Sequence, residues 1–437
     1  MDYASRCGTE ACRFKRQKCL NEGYQTNMQI LFCDYILTMD GNFSVIRNGA
    51  VVFENQIIEV GEDRAALRRK YPDAELIECE PDSVLMPGLI NPHLHLEFSK
   101  NRTTLEYGDF LPWLYSVMEK REELIEGCDD LCVRQTVDDM LAFGITAFGA
   151  ISSYGFDMES CAKARQKVVF FNEVIGSNPG AVDGFFLDFQ ARVKDSKRLA
   201  SNTFIPAIAI HSPYSVHPVL ARKALEMARA EDFRVSAHFM ESRAEREWLD
   251  SNSGEFKPFF KNFLKTDRAV TDGISFLQMF NGFDPLYVHA VYTSDEELDM
   301  IEQQGGHIVH CPVSNRLLGG GILDLERLKA REIPFAVATD GLSSNFSMNM
   351  FKEMRASLMQ QSGLDLQLLA RDLLLGVTRN AAKALGLHTG AIEAGRAADL
   401  VTLTLPNGVV EDKNLPLQII LHSNIVDRVF IEGERIR

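Results

Sequence analysis

Met86-Pro87-Gly88-Leu89-Ile90-Asn91-Pro92-His93-Leu94-His95 is an apolar run that closes on two histidines, with Leu96-Glu97-Phe98 behind it. Such a run reads as a buried β-strand whose last residues reach its C-terminal mouth, and residues two apart on a strand point the same way. His93 and His95 therefore present two imidazoles to one point. Neutral imidazole is the commonest side-chain ligand for a metal such as zinc. A bare His-x-His is more often a chance pair of core histidines, but here further metal-ligand types recur at the ends of later apolar runs.

Outward from this stretch, apolar runs alternate with helix-length segments. Eight can be traced, around residues 85–95, 145–151, 168–175, 204–211, 234–239, 286–291, 307–311 and 334–340. Segments such as 219–231 and 295–304 have the length of helices. Eight strand-then-helix units predict a (β/α)8 barrel of the TIM type, whose chemistry collects at the C-terminal ends of the strands. A doubly wound open sheet is the alternative, and no Gly-rich phosphate loop follows any strand to favour it. The connection over 241–284 is unusually long and holds Trp248 and Phe256-Lys257-Pro258-Phe259-Phe260. It reads as a lid or substrate wall, or as an extra packed helix.

Both flanks are β-rich. Ile30-Leu31-Phe32, Tyr35-Ile36-Leu37-Thr38 and Ala50-Val51-Val52-Phe53 are short strands split by turns such as Asp40-Gly41-Asn42. The same texture returns at Leu400-Val401-Thr402-Leu403 and Val429-Phe430-Ile431. Residues 28–85 and 388–437 are expected to complete one sheet in a small composite β-sandwich module beside a barrel over 86–387. The first 27 residues carry Arg13, Lys15, Arg16 and Lys18 and lack the apolar core of a secretion signal, so they read as a disordered extension, with Met28 as a second candidate start.

The chain has 437 residues, 46% hydrophobic and 24% charged, the composition of an ordinary soluble protein. A net charge of −15 opposes a nucleic-acid or anionic-membrane partner and leaves small molecules. No apolar stretch has the length of a membrane span. Nine scattered cysteines without a CxxC suit a reducing compartment, hence the cytoplasm, and a homo-oligomer is compatible with the sequence.

Taken together, the strand ends offer His93 and His95, then His211 in His-Ser-Pro-Tyr-Ser, His238 in Ala-His-Phe-Met-Glu, His289 in Val-His-Ala and Asp340 in Ala-Thr-Asp-Gly. In a barrel these converge on one cavity and make a metal site with catalytic groups around it. His217, His388 and His422 lie away from these ends, while His307 and His310 are ambiguous.

The combination resembles the amidohydrolase superfamily from about Met28 onward. Its marks are the opening Pro-Gly-Leu-Ile-Asn-Pro-His-Leu-His, the ordered His238, His289 and Asp340, and the closing Gly390-Ala391-Ile392-Glu393-Ala394-Gly395-Arg396-Ala397-Ala398-Asp399-Leu400. The resemblance implies His93, His95, His238 and Asp340 as metal ligands, with His289 held near the water that the metal activates. Binuclear members bridge two metals through a carboxylated lysine or a glutamate. The fourth run ends without lysine; the third ends near Glu173, which could bridge, but one divalent ion, Zn2+ or Fe2+, is favoured.

A glutamate three residues past the metal histidine, here Glu241, is what related deaminases place against a ring nitrogen. Attack of water on an aromatic C–NH2 carbon needs a nucleophile at neutral pH, a proton on the adjacent ring nitrogen and a proton on departing ammonia. Glu241 suits the second, and His289 with Asp340 suit the relay of the water's proton. The plain alternative for Glu241 is a carboxylate at a helix N-terminus.

Cys311-Pro312-Val313-Ser314-Asn315-Arg316-Leu317-Leu318, Ala338-Thr339-Asp340-Gly341-Leu342-Ser343-Ser344-Asn345 and His95-Leu96-Glu97-Phe98-Ser99 are similar to the aminofutalosine deaminase branch, found in bacteria that make menaquinone by the futalosine route. That resemblance implies conversion of 6-amino-6-deoxyfutalosine to futalosine and ammonia. Adenosine, methylthioadenosine or S-adenosylhomocysteine deamination is the runner-up, then an s-triazine or guanine aminohydrolase. A barrel kept only for binding would show gaps in the ligand set, and none is seen. For substrate contacts, His211 resembles the residue aimed at the sugar, and Glu119 or Glu122 could hold ribose hydroxyls. Aminofutalosine carries an aromatic carboxylate beyond the 5′ carbon, which calls for a guanidinium. Arg316 is the first candidate, set against a plain pairing with Asp324 or Glu326, and Arg102 is the reserve.

Overall fold

The computed structural model describes residues 28–100 and 103–437, so the extension expected over 1–27 and the reserve candidate Arg102 lie outside the described residues. The N-terminal strands are β1 (Gln29–Leu37), β2 (Val45–Phe53), β3 (Ile57–Gly61), β4 (Glu75–Glu78) and β5 (Ser83–Pro87). The barrel strands are β6 (Leu89–Leu94), β7 (Ile145–Ser152), β8 (Lys167–Val174), β9 (Phe204–Ile210), β10 (Val235–Phe239), β11 (Leu286–His289), β12 (His307–His310) and β13 (Phe335–Val337). The C-terminal strands are β14 (Leu400–Thr404), β15 (Arg428–Ile431) and β16 (Glu434–Arg435).

The apolar run ending in His95 breaks in two at Gly88. Upstream, β5 pairs antiparallel with β14, Met86 opposite Val401, whereas β6 pairs in parallel with β7 in the barrel. A Cβ at position 88 would collide with the Thr146 side chain, so only glycine lets the backbone cross between sheets there. The two ends of the chain do complete one sheet, ordered β16-β15-β14-β5-β1-β2-β3, with β4 also on β1. Alternation along β1 sends Leu31 and Cys33 to one face with Leu85, Leu400 and Phe430, and Ile30 and Phe32 to the other with Ala50, Val52 and Leu67. A buried ion pair, Lys167 Nζ to Asp399 Oδ2 at 2.7 Å, ties this sheet to the barrel.

The barrel strands follow one another in chain order, all parallel. Both faces are buried, which is why they read as continuous apolar runs. Along β8, Val168 and Phe170 point outward under the helices, while Val169 and Phe171 point inward. The next inward position is Glu173. The gap between β13 and β6 is spanned by the Asp340 amide donating to the His93 carbonyl (3.2 Å) and by Asn91, whose side chain exchanges hydrogen bonds with Thr339 (2.7 and 3.1 Å). The helix Arg379–Leu385 plugs the far end of the barrel with Ala381, Ala382, Ala384 and Leu385. Among the described residues no helix is long and apolar enough to cross a membrane.

The long connection forms helices Arg243–Ser251, Phe256–Phe263 and Gly273–Gln278. The middle one packs over the mouth of the barrel. Phe256 is fully buried, its ring 4.8 Å from Tyr214 beyond β9 and 6.0 Å from Phe110, which begins the helix Phe110–Gly127.

Candidate active site

At the strand ends His93, His95 and His238 bring their ring nitrogens together, and Glu241, His289 and Asp340 form an adjoining cluster. His95 Nε2 lies 3.4 Å from His238 Nε2, and Asp340 Oδ1 lies 3.5 and 3.6 Å from His93 Nε2 and His95 Nε2. Two donors each about 2.1 Å from a tetrahedral ion stand about 3.4 Å apart, so these spacings suit a metal better than mutual hydrogen bonds.

The protonation pattern agrees. His238 Nδ1 donates to the His211 carbonyl (2.9 Å), which can only accept, and this leaves the Nε2 lone pair facing the cluster. Both ring nitrogens of buried His93 lack a hydrogen-bond partner, a costly arrangement for a polar group unless something else is ligated there. Burial pushes His95 down to about 3, and burial likewise lowers His93, His238 and His289, so all four are neutral, as ligation requires. Asp340 accepts from the hydroxyls of Ser314 (2.7 Å) and Ser344 (2.8 Å) and from the Gly341 amide (2.7 Å), which fixes it as a carboxylate. The residues therefore fit a divalent metal.

Backbone strain places several of these groups. His289, Ala290, Met240 and Asp340 have φ of 71°, 52°, 51° and 61°, the left-handed region that non-glycine residues avoid. Such outliers gather where surrounding contacts hold functional groups in place. His289 Nδ1 donates to Asn315 Oδ1 at 2.8 Å, which turns its other nitrogen toward Glu241 Oε1 at 3.5 Å. Burial, and then the charge of Asp340, raise the Glu241 carboxyl well above its usual range, which favours its protonated form. Its main chain is pinned by the Glu245 carboxylate, which accepts from the Glu241 amide at 2.9 Å.

The cluster opens into a cavity of about 610 Å³ lined by His95, Glu173, His211, His238, Glu241, His289 and Asp340 at its floor and by Trp113, Val117, Arg121, Tyr154, Phe185 and Phe259 on its walls. Glu173 sits behind the imidazoles, 3.8 Å from His238 Nδ1, and burial pushes it up to about 8. His211 lines the cavity with its Nδ1 bonded to Ser215 Oγ at 2.6 Å. Of the two ambiguous histidines, neither lines the cavity. His310 instead meets Ser357 of the helix Met350–Gln360 at 3.3 Å.

Two expected substrate contacts are displaced. Arg316 is exposed and absent from the cavity wall, because the helix Pro312–Leu317 turns Ser314 and Asn315 inward, to Asp340 and His289, and so turns its next residue out. Glu119 and Glu122 are also exposed and absent from the cavity wall, since the helix Phe110–Gly127 turns Trp113, Leu114, Val117, Met118 and Arg121 to the cavity, Met118 and Arg121 at its open rim. That stripe at i, i+3 and i+4 was the signal available in the sequence and marks Arg121, not Glu119, as the wall's charged residue.

A model of the Amidohydrolase family matches residues 84–436. An aminodeoxyfutalosine deaminase from a Nitratiruptor species is 47% identical over 391 residues, which cover 90% of this chain and 96% of that protein. An adenosine deaminase from Helicobacter pylori is 34% identical over 413 residues, 93% of this chain and 99% of that protein. Among solved structures, Helicobacter pylori aminofutalosine deaminase in complex with methylthio-coformycin superposes with a TM-score of 0.89 at 33% identity, covering 94% of this chain and all of that one.

Proposed function

This chain belongs to the amidohydrolase family, and from that premise we propose that it deaminates the adenine ring of a nucleoside extended at its 5′ side, 6-amino-6-deoxyfutalosine, giving futalosine and ammonia. The observation that carries the reading is Glu241, a buried carboxyl group 3.5 Å from His289 Nε2 that shares one cavity with the imidazoles of His95, His211, His238 and His289. A hydrolase that expels a good leaving group has less need of an acid there. An aminopurine does, because its ring must be protonated before ammonia can leave.

His93, His95, His238 and Asp340 would hold one divalent ion, Zn2+ or Fe2+, and that ion supplies water made nucleophilic near neutral pH. Glu241 gives its proton to the ring nitrogen beside the attacked carbon. His289 and Asp340 accept the proton lost by the attacking water and pass it to the amine, the C–N bond breaks to release ammonia, and the hydroxyl proton left on the same carbon returns to Glu241 as the carbonyl forms. Ser314, Ser344 and Asn315 keep these two acceptors aimed. His211 meets the sugar. A cavity of about 610 Å³ suits a nucleoside with an aromatic tail.

The same reading assigns the active site to the barrel over 86–387 and a supporting role to the composite module over 28–85 and 388–437. It places the enzyme in the cytoplasm of a menaquinone-making cell with a small-molecule substrate and no nucleic-acid or membrane partner, supported by the net charge of −15 and by six free cysteines among the described residues. The test is a deamination assay with aminofutalosine, methylthioadenosine, S-adenosylhomocysteine, adenosine and guanine. The reading predicts the highest kcat/KM on aminofutalosine, and preference for any other member of the panel overturns it.

A further inference from the structure

The helix Phe110–Gly127 turns Trp113, Val117 and Arg121 toward the cavity at successive turns. The first two continue the apolar wall, and the third ends it with a cation. The Arg121 guanidinium lies over the Tyr154 ring, 5.0 Å from its centroid. Stacking on an aromatic face steadies a guanidinium while leaving its N–H edge open, the geometry in which arginine grips a carboxylate with two hydrogen bonds.

The platform beneath it is fixed. The backbone amides of Ser153, Tyr154 and Phe156 donate to the buried Glu97 carboxylate at 2.8, 3.0 and 3.2 Å. Glu97 stands two residues beyond His95, so the loop that carries Tyr154 is tied directly to the metal strand. Ser153 reaches in the other direction and donates to Glu173 behind His238. The cavity's other guanidinium is already engaged: Arg192 donates to Asp188 Oδ2 (3.1 Å) and to the carbonyls of Ser152 (3.3 Å) and Glu173 (2.9 Å). Among the described residues no carboxylate pairs with Arg121.

We propose that Arg121, steadied on Tyr154, is the subsite that receives the aryl carboxylate at the far end of a 5′-extended adenine nucleoside. The assignment rests on the deaminase reading above and adds to it the group that selects the tail. A carboxylate could also arrive as the amino-acid end of S-adenosylhomocysteine. That tail brings an ammonium group as well, and the wall's aspartate, Asp188, is occupied by Arg192. An aromatic acid needs only the guanidinium and the apolar wall beside it.

The experiment compares kcat/KM for aminofutalosine, S-adenosylhomocysteine and methylthioadenosine, which has no anionic tail, in the metal-loaded wild type, Arg121→Gln, Arg121→Lys and Arg316→Ala. The aminofutalosine-to-methylthioadenosine ratio is expected to fall about 10- to 150-fold in Arg121→Gln, mainly through KM, the range for a hydrogen bond to a charged group. Lysine should restore part of it by charge without the fork, and Arg316→Ala should keep the wild-type ratio. An unchanged ratio in Arg121→Gln overturns the subsite while leaving the deaminase reading intact. So does a loss confined to S-adenosylhomocysteine, which would assign the cation to an amino-acid tail. A wild type that deaminates none of the three overturns the deaminase reading and the subsite with it.

Discussion

The floor and the wall of the cavity are built by different parts of the chain. The floor is made of strand ends: His93, His238, His289 and Asp340 are each buried and each closes or follows an apolar run. The wall is made of helix faces and one loop, with Trp113, Val117 and Arg121 from one helix and Phe259 and Phe260 from another. Strand ends are held by the barrel's hydrogen-bond ladder, so their groups can be fixed closely enough for ligation. Helix faces laid over the mouth are held mainly by side-chain packing, with single hydrogen bonds such as Trp113 Nε1 to the Ser343 carbonyl (2.9 Å). The difference suggests a division of labour in which chemistry sits where the backbone is most constrained and selectivity where substitution disturbs the barrel least.

The sharpest way to break that division is to remove a ligand from the floor. His238→Ala should leave the chain without tightly held metal and with deamination below detection, where the wild type should carry about one divalent ion by elemental analysis. Full metal retention would place the ion elsewhere. Glu241→Gln keeps the shape of the acid and loses its proton. Turnover should fall by roughly 10²–10⁴-fold with the metal retained, and normal turnover would reduce Glu241 to a helix-end carboxylate.

The wall predicts a different kind of loss. Phe256 packs between Phe110 and Tyr214, so Phe256→Ala should cost about 3–5 kcal/mol in denaturant unfolding if the wall melts together with the barrel. An unchanged midpoint would mean that the helix Phe256–Phe263 opens independently as a lid. At the small end, Glu119→Gln and Arg316→Ala sit on faces turned to water and should each change kcat/KM by less than about twofold, because exposed charges far from the reacting groups contribute little. A tenfold loss from either would mean that the wall closes differently around substrate.

The same contrast explains what could be read from the sequence. Metal-ligating residue types at the ends of apolar runs stand out because a strand has period two and a barrel brings every strand end to one place, so His93, His95, His238 and Asp340 could be grouped from positions nearly 250 residues apart. The run ending in His95 reads as one strand and forms two, since nothing local reports that Thr146 leaves room only for glycine at position 88. Position after the seventh strand puts the segment of Arg316 on the catalytic face, but the helix Pro312–Leu317 turns the Arg316 side chain out. One residue of helical rotation, about 100°, separates Asn315 at His289 from Arg316 in solvent. Arg121 was legible in its helical stripe, yet a stripe ending in a cation reads equally as an amphipathic helix with one residue at its polar edge. Only Tyr154 beneath the guanidinium distinguishes the two, and that contact joins residues 33 apart in sequence.

On the proposed function, a metal-dependent floor deaminates an adenine nucleoside bearing an acidic aromatic tail. Its most direct test is ammonia released from 6-amino-6-deoxyfutalosine by the wild-type chain as isolated, after metal is stripped by chelation, and after Zn2+ or Fe2+ is restored. One ammonia per futalosine formed is expected, with loss of activity on stripping and recovery on reloading. No ammonia from the loaded enzyme, or undiminished release from the stripped one, would contradict it.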